Sequence, residues 1–469
     1  MLFTNSHFIL FFLICFCGRW LLPRYRWQKY FLLICNAVFY GAWDYRFLFL
    51  MGGYILFNHM VAWSIFQTSE HNPRRSWLWL SIGVNLAVLG FFKYYNFFIE
   101  SAVASMAKLG VKLDWTKLEI ILPVGISFIT FQAMSYVIDV YRRELEPASL
   151  LDFAVYKSFF PQLVAGPIVR ASHFLPQLAT PRRIADVDFR GCCLLFLVGY
   201  FKKACVADNI AGLIDPIFAA PATQHGSDVL LASIGYSVQI YCDFSGYTDM
   251  AIACAGLLGF HLTLNFDAPY LSPNIREFWR RWHISLSSWL RDYLYISLGG
   301  ARKGGVRTYL NLMLTMALGG LWHGANWTFV LWGVAHGCAL CLHRFASAIP
   351  KPALPELALP AFRLLGWALT LTWVVLCFTL FRCDSLASFM TLISRHGVHE
   401  GAPSLSPSLW WILALLCTLH VCGYLLRPHL QKGFRALPAP IYGLLLGLAV
   451  SIVLFFTPIA TVPFIYFQF

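Results

Sequence analysis

The chain reads as an all-α polytopic membrane protein, and three observations predict that class. Of its 469 residues 59% are hydrophobic and only 12% are charged, where an ordinary soluble domain carries about a quarter charged residues. The apolar residues also gather in blocks of about 20, the length that crosses a bilayer as a helix. The blocks fall near 3–22, 28–44, 46–66, 77–99, 119–140, 190–206, 228–262, 308–345, 361–381, 409–426 and 440–466. Two of them, 228–262 and 308–345, are long enough to be broken or doubled, so ten to twelve spans are expected. Short apolar stretches rich in Pro and Gly near 152–170 and 208–222 are expected to be re-entrant, which is tolerated only where protein or a cavity covers the backbone.

The net charge is +13. In a soluble chain that balance would point to nucleic acid. Here the positive residues lie in short segments between blocks, so the positive-inside rule accounts for them and no nucleic-acid partner is expected. Arg19, Arg24, Arg26 and Lys29 follow the first block, Arg74 and Arg75 the third, Arg142 and Arg143 the fifth. They alternate correctly if the N-terminus is outside and these loops are cytoplasmic. No small-residue cleavage site follows the apolar N-terminus, so it is expected to be the first span. Most of the 14 cysteines sit inside apolar runs and read as small hydrophobes. Cys338-x-x-Cys341 has redox or zinc spacing but no second ligand pair, so no metal is expected.

No internal repeat or soluble domain is visible, and one membrane-embedded domain, 1–469, is expected. Its parts are N-terminal helices (1–118), a catalytic core (119–345) and C-terminal helices (361–469), with a proline-rich loop at 346–360 holding Pro350, Pro352, Pro355 and Pro360. The last spans read as plain lipid-facing helices, because the clustered polar residues lie in the core.

Within that core, the first cluster follows Pro123-Val124-Gly125. Gln132, Ser135, Tyr136 and Asp139 have helical spacing and share a face, which serves either interhelical hydrogen bonding or a polar site. Next, Pro161, Gly166 and Pro167 break an apolar run, as a cavity lining or a tight turn would. Asp243, Ser245, Tyr247, Thr248 and Asp249 then interrupt the block 228–262. The two carboxylates are expected to be paired, with an arginine or a histidine, because neither belongs alone in an apolar interior.

The fourth cluster runs from Asn265 to Gly300. As one helix it carries Phe278, Trp279, Trp282, Leu286, Trp289 and Tyr293 on one face, and Arg276, Arg280, His283, Ser287 and Arg291 on another. Such a helix would lie in the membrane interface. A plain anchor would not need His283, and arginines there could grip a phosphate or carboxylate.

The fifth feature is His323 in Gly319-Gly320-Leu321-Trp322-His323-Gly324, at the end of an apolar run. An ionisable group at membrane depth marks a reaction site or a transport path. The alternative is a core histidine bonded to a neighbouring carbonyl. The flanking glycines are expected to leave the backbone bare, so that a substrate can approach. No Gly-x-Ser-x-Gly, P-loop, zinc-spaced histidine pair or dinucleotide loop is present, which leaves general-base chemistry by histidine on a hydroxyl. The candidate substrate contacts drawn from these clusters are Asp243, Tyr247, Asp249, Arg280, Trp282, Ser287, Trp322 and Gln132.

These strings resemble the membrane-bound O-acyltransferase (MBOAT) family, and in particular its bacterial branch, which serves alginate, cellulose and peptidoglycan O-acetylation and teichoic-acid D-alanylation. The resemblance is carried by Asp243-Phe244-Ser245-Gly246-Tyr247-Thr248-Asp249, Phe278-Trp279-Arg280-Arg281-Trp282-His283-Ile284-Ser285, Arg291-Asp292-Tyr293 and Leu321-Trp322-His323-Gly324, and is strongest over 120–345. The family often has a proline after the isoleucine where Ser297 stands here.

The resemblance implies helices around a central funnel or tunnel in the inner membrane, His323 as catalytic histidine, and His283 at a second active-site position that stabilises an oxyanion or positions the acceptor. It further implies an acyl thioester donor, acetyl-CoA, with no bound cofactor, and a periplasmic acetyltransferase partner that completes transfer to an exported polysaccharide. The predominance of arginine over lysine suits a GC-rich host and favours acetyl over D-alanyl. A transporter or scaffold subunit of an acetylation complex remains the rival class. A transporter should show inverted repeats with paired broken helices, and the sequence has neither.

Overall fold

The computed structural model describes residues 3–112, 114–164, 166–349, 355, 358–398, 402–458 and 463–465. Of the features expected above, Ala165, Pro350, Pro352 and residues 399–401, 459–462 and 466 lie outside these. Among the described residues every regular element is a helix. The helices pack into two compact units: Met1–Phe189 with Ala251–Thr263, and Arg190–Met250 with Leu264–Phe469.

The first unit begins with α1 (Ser6–Leu21), α2 (Tyr25–Gly41) and α3 (Arg46–Gln67). Then α4 (His71–Leu89) continues through a π turn (Gly90–Tyr94) into α5 (Tyr95–Lys108). Helix α6 (Ile126–Tyr141) starts after Gly125, whose φ of 74° suits a residue without Cβ. It is buried nearly all round, so the expected single polar face is instead one side of a central helix. The hydroxyl of Tyr136 accepts the Ala148 N–H (3.1 Å), and Lys157 donates to the Ile129 carbonyl (2.6 Å). The proline-broken run resolves into α7 (Leu150–Ser158), the single turn α8 (Phe160–Leu163) and, over 166–170, non-helical chain before α9 (Ala171–Ala179). Arg19, expected in a cytoplasmic loop, is in the last turn of α1 and fully buried. Its guanidinium bonds the Leu258 carbonyl (3.3 Å) through Nε and the Gln28 side chain through one terminal nitrogen, and lies over Trp20.

The second unit opens with α10 (Phe189–Tyr200), a π stretch (Phe201–Ala207) and α11 (Asp208–Ala219). Helix α12 (Gly226–Leu257) is one unbroken helix of 32 residues. The expected interfacial helix is not continuous: α13 (Ile275–Arg281) ends at an extended Trp282, His283 turns left-handed, and α14 (Ile284–Trp289) starts afresh before another π stretch (Leu290–Tyr295). The block 308–345 is doubled, as α15 (Gly305–His323) and α16 (Trp327–Ala348). The unit closes with α17 (Leu359–Arg382), α18 (Leu386–Ser394), α19 (Ser408–Ala436) and α20 (Ala439–Phe456).

Among the described residues six helices are long and apolar enough to cross a membrane: α3, the continuous α4–α5, α16, α17, α19 and α20. With about 30 Å of hydrocarbon to cross at 1.5 Å per residue, α1 and α6, at 16 residues each, fall short of that length.

Candidate active site

The site is built on a strip of chain, Asn265–Asp267, that runs beside the break between α13 and α14. Two backbone bonds fix the register: the Asp267 N–H donates to the Arg281 carbonyl (3.0 Å), and Ile284 to that of Asn265 (2.9 Å). Asn274 caps α13 by accepting the Glu277 N–H (2.9 Å), and Arg281 pairs with Glu277 one turn earlier (2.7 Å). His283 then adopts φ 43°, ψ 55°, a left-handed conformation uncommon for residues other than Gly, Asn, Asp and His. The turn swings the imidazole into the interior.

One atom holds it there. Asn265 Oδ1 accepts the Ser285 N–H (3.1 Å), the Ser285 hydroxyl (2.9 Å) and His283 Nδ1 (3.2 Å). The Ser285 N–H can only donate, so this atom of the amide is the oxygen, and Nδ1 of His283 carries the proton. Burial pushes the His283 imidazole down to about 3, so the ring is neutral at physiological pH with its lone pair on Nε2.

His323 is the last residue of α15 and is buried. Gly324 leaves α15 in extended backbone, and Asn326 caps α16 by accepting the Thr328 N–H (3.0 Å). The glycines around His323 serve the hairpin rather than an open approach. A Cβ on Gly320 would overlap the Phe329 carbonyl, one on Gly333 would overlap that of Met316, and one on Gly324 would overlap the Phe329 ring. The two helices therefore cross backbone to backbone, as small residues permit in membrane bundles. His323 is left among rings, edge to face with Trp332 (5.0 Å between centroids, 86°), Phe381 (5.5 Å) and Trp322 (5.1 Å), and 6.3 Å from His283.

Phe381 comes from α17, and Phe378 of the same helix packs on Trp282 (4.9 Å). His420 of α19 meets Tyr241 (5.1 Å). Of the C-terminal helices α17 thus walls the site and α19 touches it through His420, while α19 and α20 otherwise stay largely exposed as lipid-facing helices would; the sequence hides the difference for α17 because phenylalanine suits lipid and a packed interior equally.

The carboxylates of the Asp243–Asp249 string are paired, but with lysines from the π stretch rather than with an arginine. Lys203 bonds Asp208 (2.7 Å) and Asp243, all three side chains being nearly inaccessible, and Lys202 bonds Asp249 (2.7 Å). The close approach uses Gly199 and Gly246, each of which would clash with the other's carbonyl if it had a Cβ. Asp243 Oδ2 also accepts the Ile465 N–H (3.0 Å), Phe464 rests on Tyr247 (4.8 Å) and Phe244 (5.8 Å), and Phe244 meets the edge of His283 (4.7 Å).

Of the candidate residues, His323, His283, Trp322 and Trp282 come together in one ring cluster. Asp243 and Tyr247 stand next to it through Phe244 and Phe464. Asp249 is held in its ion pair, Ser287 donates to the Trp282 carbonyl (3.0 Å), and Arg280 is exposed. Gln132 is buried on α6 in the first unit. His283 lies with the buried aromatics rather than with the exposed Arg276, Arg280 and Arg291, because the turn at His283 breaks the helical register on which the two-face reading depends. Sequence reasoning missed Asn265 as the anchor of His283, Lys203 as partner of Asp243, and Trp332, His336 and Phe381 as walls. For His336 a signal was present: it is an ionisable residue in mid-span, the cue that singled out His323. Among the described residues no group of His, Cys, Asp and Glu is arranged to hold a metal, and no two cysteines are joined as a disulfide.

The model of the MBOAT, membrane-bound O-acyltransferase family matches residues 107–357. The chain is 41% identical over 389 residues to the probable alginate O-acetylase AlgI of Pseudomonas putida, covering 82% of this chain and 78% of that protein. It is 36% identical over 426 residues to the peptidoglycan O-acetyltransferase of Helicobacter pylori (84% and 79%), and 28% identical over 233 residues to the teichoic acid D-alanyltransferase of Streptococcus thermophilus (47% and 56%). The chain therefore belongs to the membrane-bound O-acyltransferase family. It is a multi-pass membrane O-acyltransferase.

Proposed function

We propose that this enzyme moves acetyl groups from a cytoplasmic thioester, acetyl-CoA, across the bacterial inner membrane for O-acetylation of an exported cell-envelope polysaccharide of the alginate type. The similarity to alginate O-acetylases over most of the chain supports acetyl as the group and alginate as the model acceptor. Peptidoglycan is the acceptor in a similar relative's name, and cellulose belongs to the same chemical class of glycan hydroxyls. Further helices beside these six complete ten to twelve passes around a tunnel in which donor and acceptor meet, and a periplasmic acetyltransferase partner finishes delivery to the polymer.

The observation that carries the mechanism is the His283–His323 pair. The 6.3 Å between ring centroids lets one bound glycan acceptor reach both rings. His323 takes the proton of the acceptor hydroxyl as its oxygen attacks the thioester carbonyl, worth about 10²–10⁴-fold in rate. The imidazolium so formed returns that proton to the leaving thiolate as the C–S bond breaks. His283, neutral and protonated on Nδ1 toward Asn265, offers Nε2 as an acceptor, which suits holding a second hydroxyl of the acceptor glycan better than stabilising an oxyanion.

The test compares polysaccharide O-acetyl content in cells carrying the wild type, His323→Ala or a deletion, with the first two matched for membrane level. His323→Ala should match the deletion. Wild-type acetylation in that variant would leave a conduit or scaffold as the better reading.

A further inference from the structure

Beside His323 runs an aromatic row that carries polar atoms. Trp332 lies between two imidazoles, 5.0 Å from His323 and 4.8 Å from His336, both edge-on. His336 stacks on Phe278 (6.2 Å, 4°) and meets Trp279 at 5.1 Å, and Trp279 meets Trp332 at 5.7 Å. Trp332 is 1% exposed and His336 wholly buried. Among the described residues the indole Nε1 of Trp332, that of Trp279 and both ring nitrogens of His336 have no hydrogen-bond partner. An indole N–H can only donate, and a buried donor without an acceptor is rare in a native interior. Packing alone does not explain a tryptophan here, because a phenylalanine would fill the same wall without burying a donor.

We infer that the Trp332 indole N–H is the hydrogen-bond donor for the thioester carbonyl oxygen, a catalytic role complementary to His323, and that His336 and Trp279 are positioning residues that fix the indole plane. The inference rests on the acyl-transfer reading above. When the acceptor oxygen bonds to the carbonyl carbon, the C=O electron pair moves onto the carbonyl oxygen. The acceptor's hydroxyl proton passes to His323, and the oxyanion accepts the Trp332 N–H. Collapse restores C=O, breaks C–S and sends the proton from His323 to the thiolate. A neutral donor held rigidly in a dry wall suits this oxygen, whose charge exists only in transit. His283 then serves a neighbouring hydroxyl of the acceptor, a division of labour consistent with its Nδ1 bond to Asn265.

The experiment replaces Trp332 by its benzothiophene analogue, which keeps the ring shape and removes the N–H, in the full-length chain in membranes. Thiol release from acetyl-CoA is followed at saturating donor, beside Trp332→Phe and His323→Ala. Turnover should fall about 10²–10³-fold in the analogue and in Trp332→Phe, with donor KM and unfolding temperature near wild type for the analogue. Wild-type turnover in the analogue would overturn the inference, and so would a loss of thermal stability with unchanged turnover, the signature of a structural bond to buried water. If His323→Ala also keeps turnover, the underlying acyl-transfer reading fails. If His323→Ala is inactive while the analogue is active, only the Trp332 assignment fails.

Discussion

The imidazoles of His283 and His323 face each other at 60° with 6.3 Å between their centroids, one on a left-handed turn and the other on the last turn of a helix. Their roles predict different losses. His323→Ala should lower acetyl transfer about 10²–10⁴-fold at normal membrane level. His283→Asn, which can keep a bond to Asn265 but lacks Nε2, should cost about 10²-fold through misplacement of the acceptor. Its loss should be partly recovered by raising acceptor concentration, whereas that of His323→Ala should not. Kinetics with a soluble glycan acceptor would separate the two.

His283 also predicts the direction of acid sensitivity. Its folded-state pKa lies near 3, below the ordinary value of 6.5, so the unfolded chain binds a proton that the folded chain refuses. This effect is absent above about pH 6.5 and lowers stability as pH falls from there toward 3, by up to about 1.4 kcal/mol per unit. Thermal unfolding of wild type and His283→Asn in detergent at pH 7, 6 and 5 should show the wild type losing the greater share. Parallel pH profiles would contradict a buried neutral imidazole.

Asn265→Ala should act on both stability and catalysis. It removes the acceptor shared by Ser285 and His283 and strands their buried donors, at about 1–3 kcal/mol. Activity should fall along with that of His283 variants, and the double variant with His283→Asn should lose little more than either alone, because both act through one ring. Additive losses would argue against the shared route.

Gly320→Ala and Gly333→Ala should prevent the α15–α16 crossing, since each added methyl meets backbone rather than a movable side chain. Membrane levels should drop in both variants. Gly83→Ala, with open space around it, should keep its level on immunoblot.

Lys203→Met should destabilise the protein by about 3–5 kcal/mol, because it leaves the carboxylates of Asp208 and Asp243 buried without their ammonium. Adding Asp208→Asn and Asp243→Asn should recover much of the loss. Lys202→Met, whose pair is less buried, should cost less. Unfolding temperatures in detergent would rank the three.

Composition and the spacing of apolar blocks were enough to determine a helical membrane protein, because a bilayer demands long apolar segments wherever they pack. The strings around Asp243, His283 and His323 were enough to determine the family, since reactive groups in apolar surroundings stand out in one dimension. Only the tertiary structure decided what those groups touch. A left-handed turn at His283, which no helical periodicity anticipates, put that imidazole inside and left Arg280 out. Glycines that looked like bare approach to a substrate are where two backbones cross, and phenylalanines that looked lipid-facing close the wall around His323. The reason is common to all three: hydrophobicity records that a residue avoids water, and packing alone determines whether lipid or another side chain replaces it.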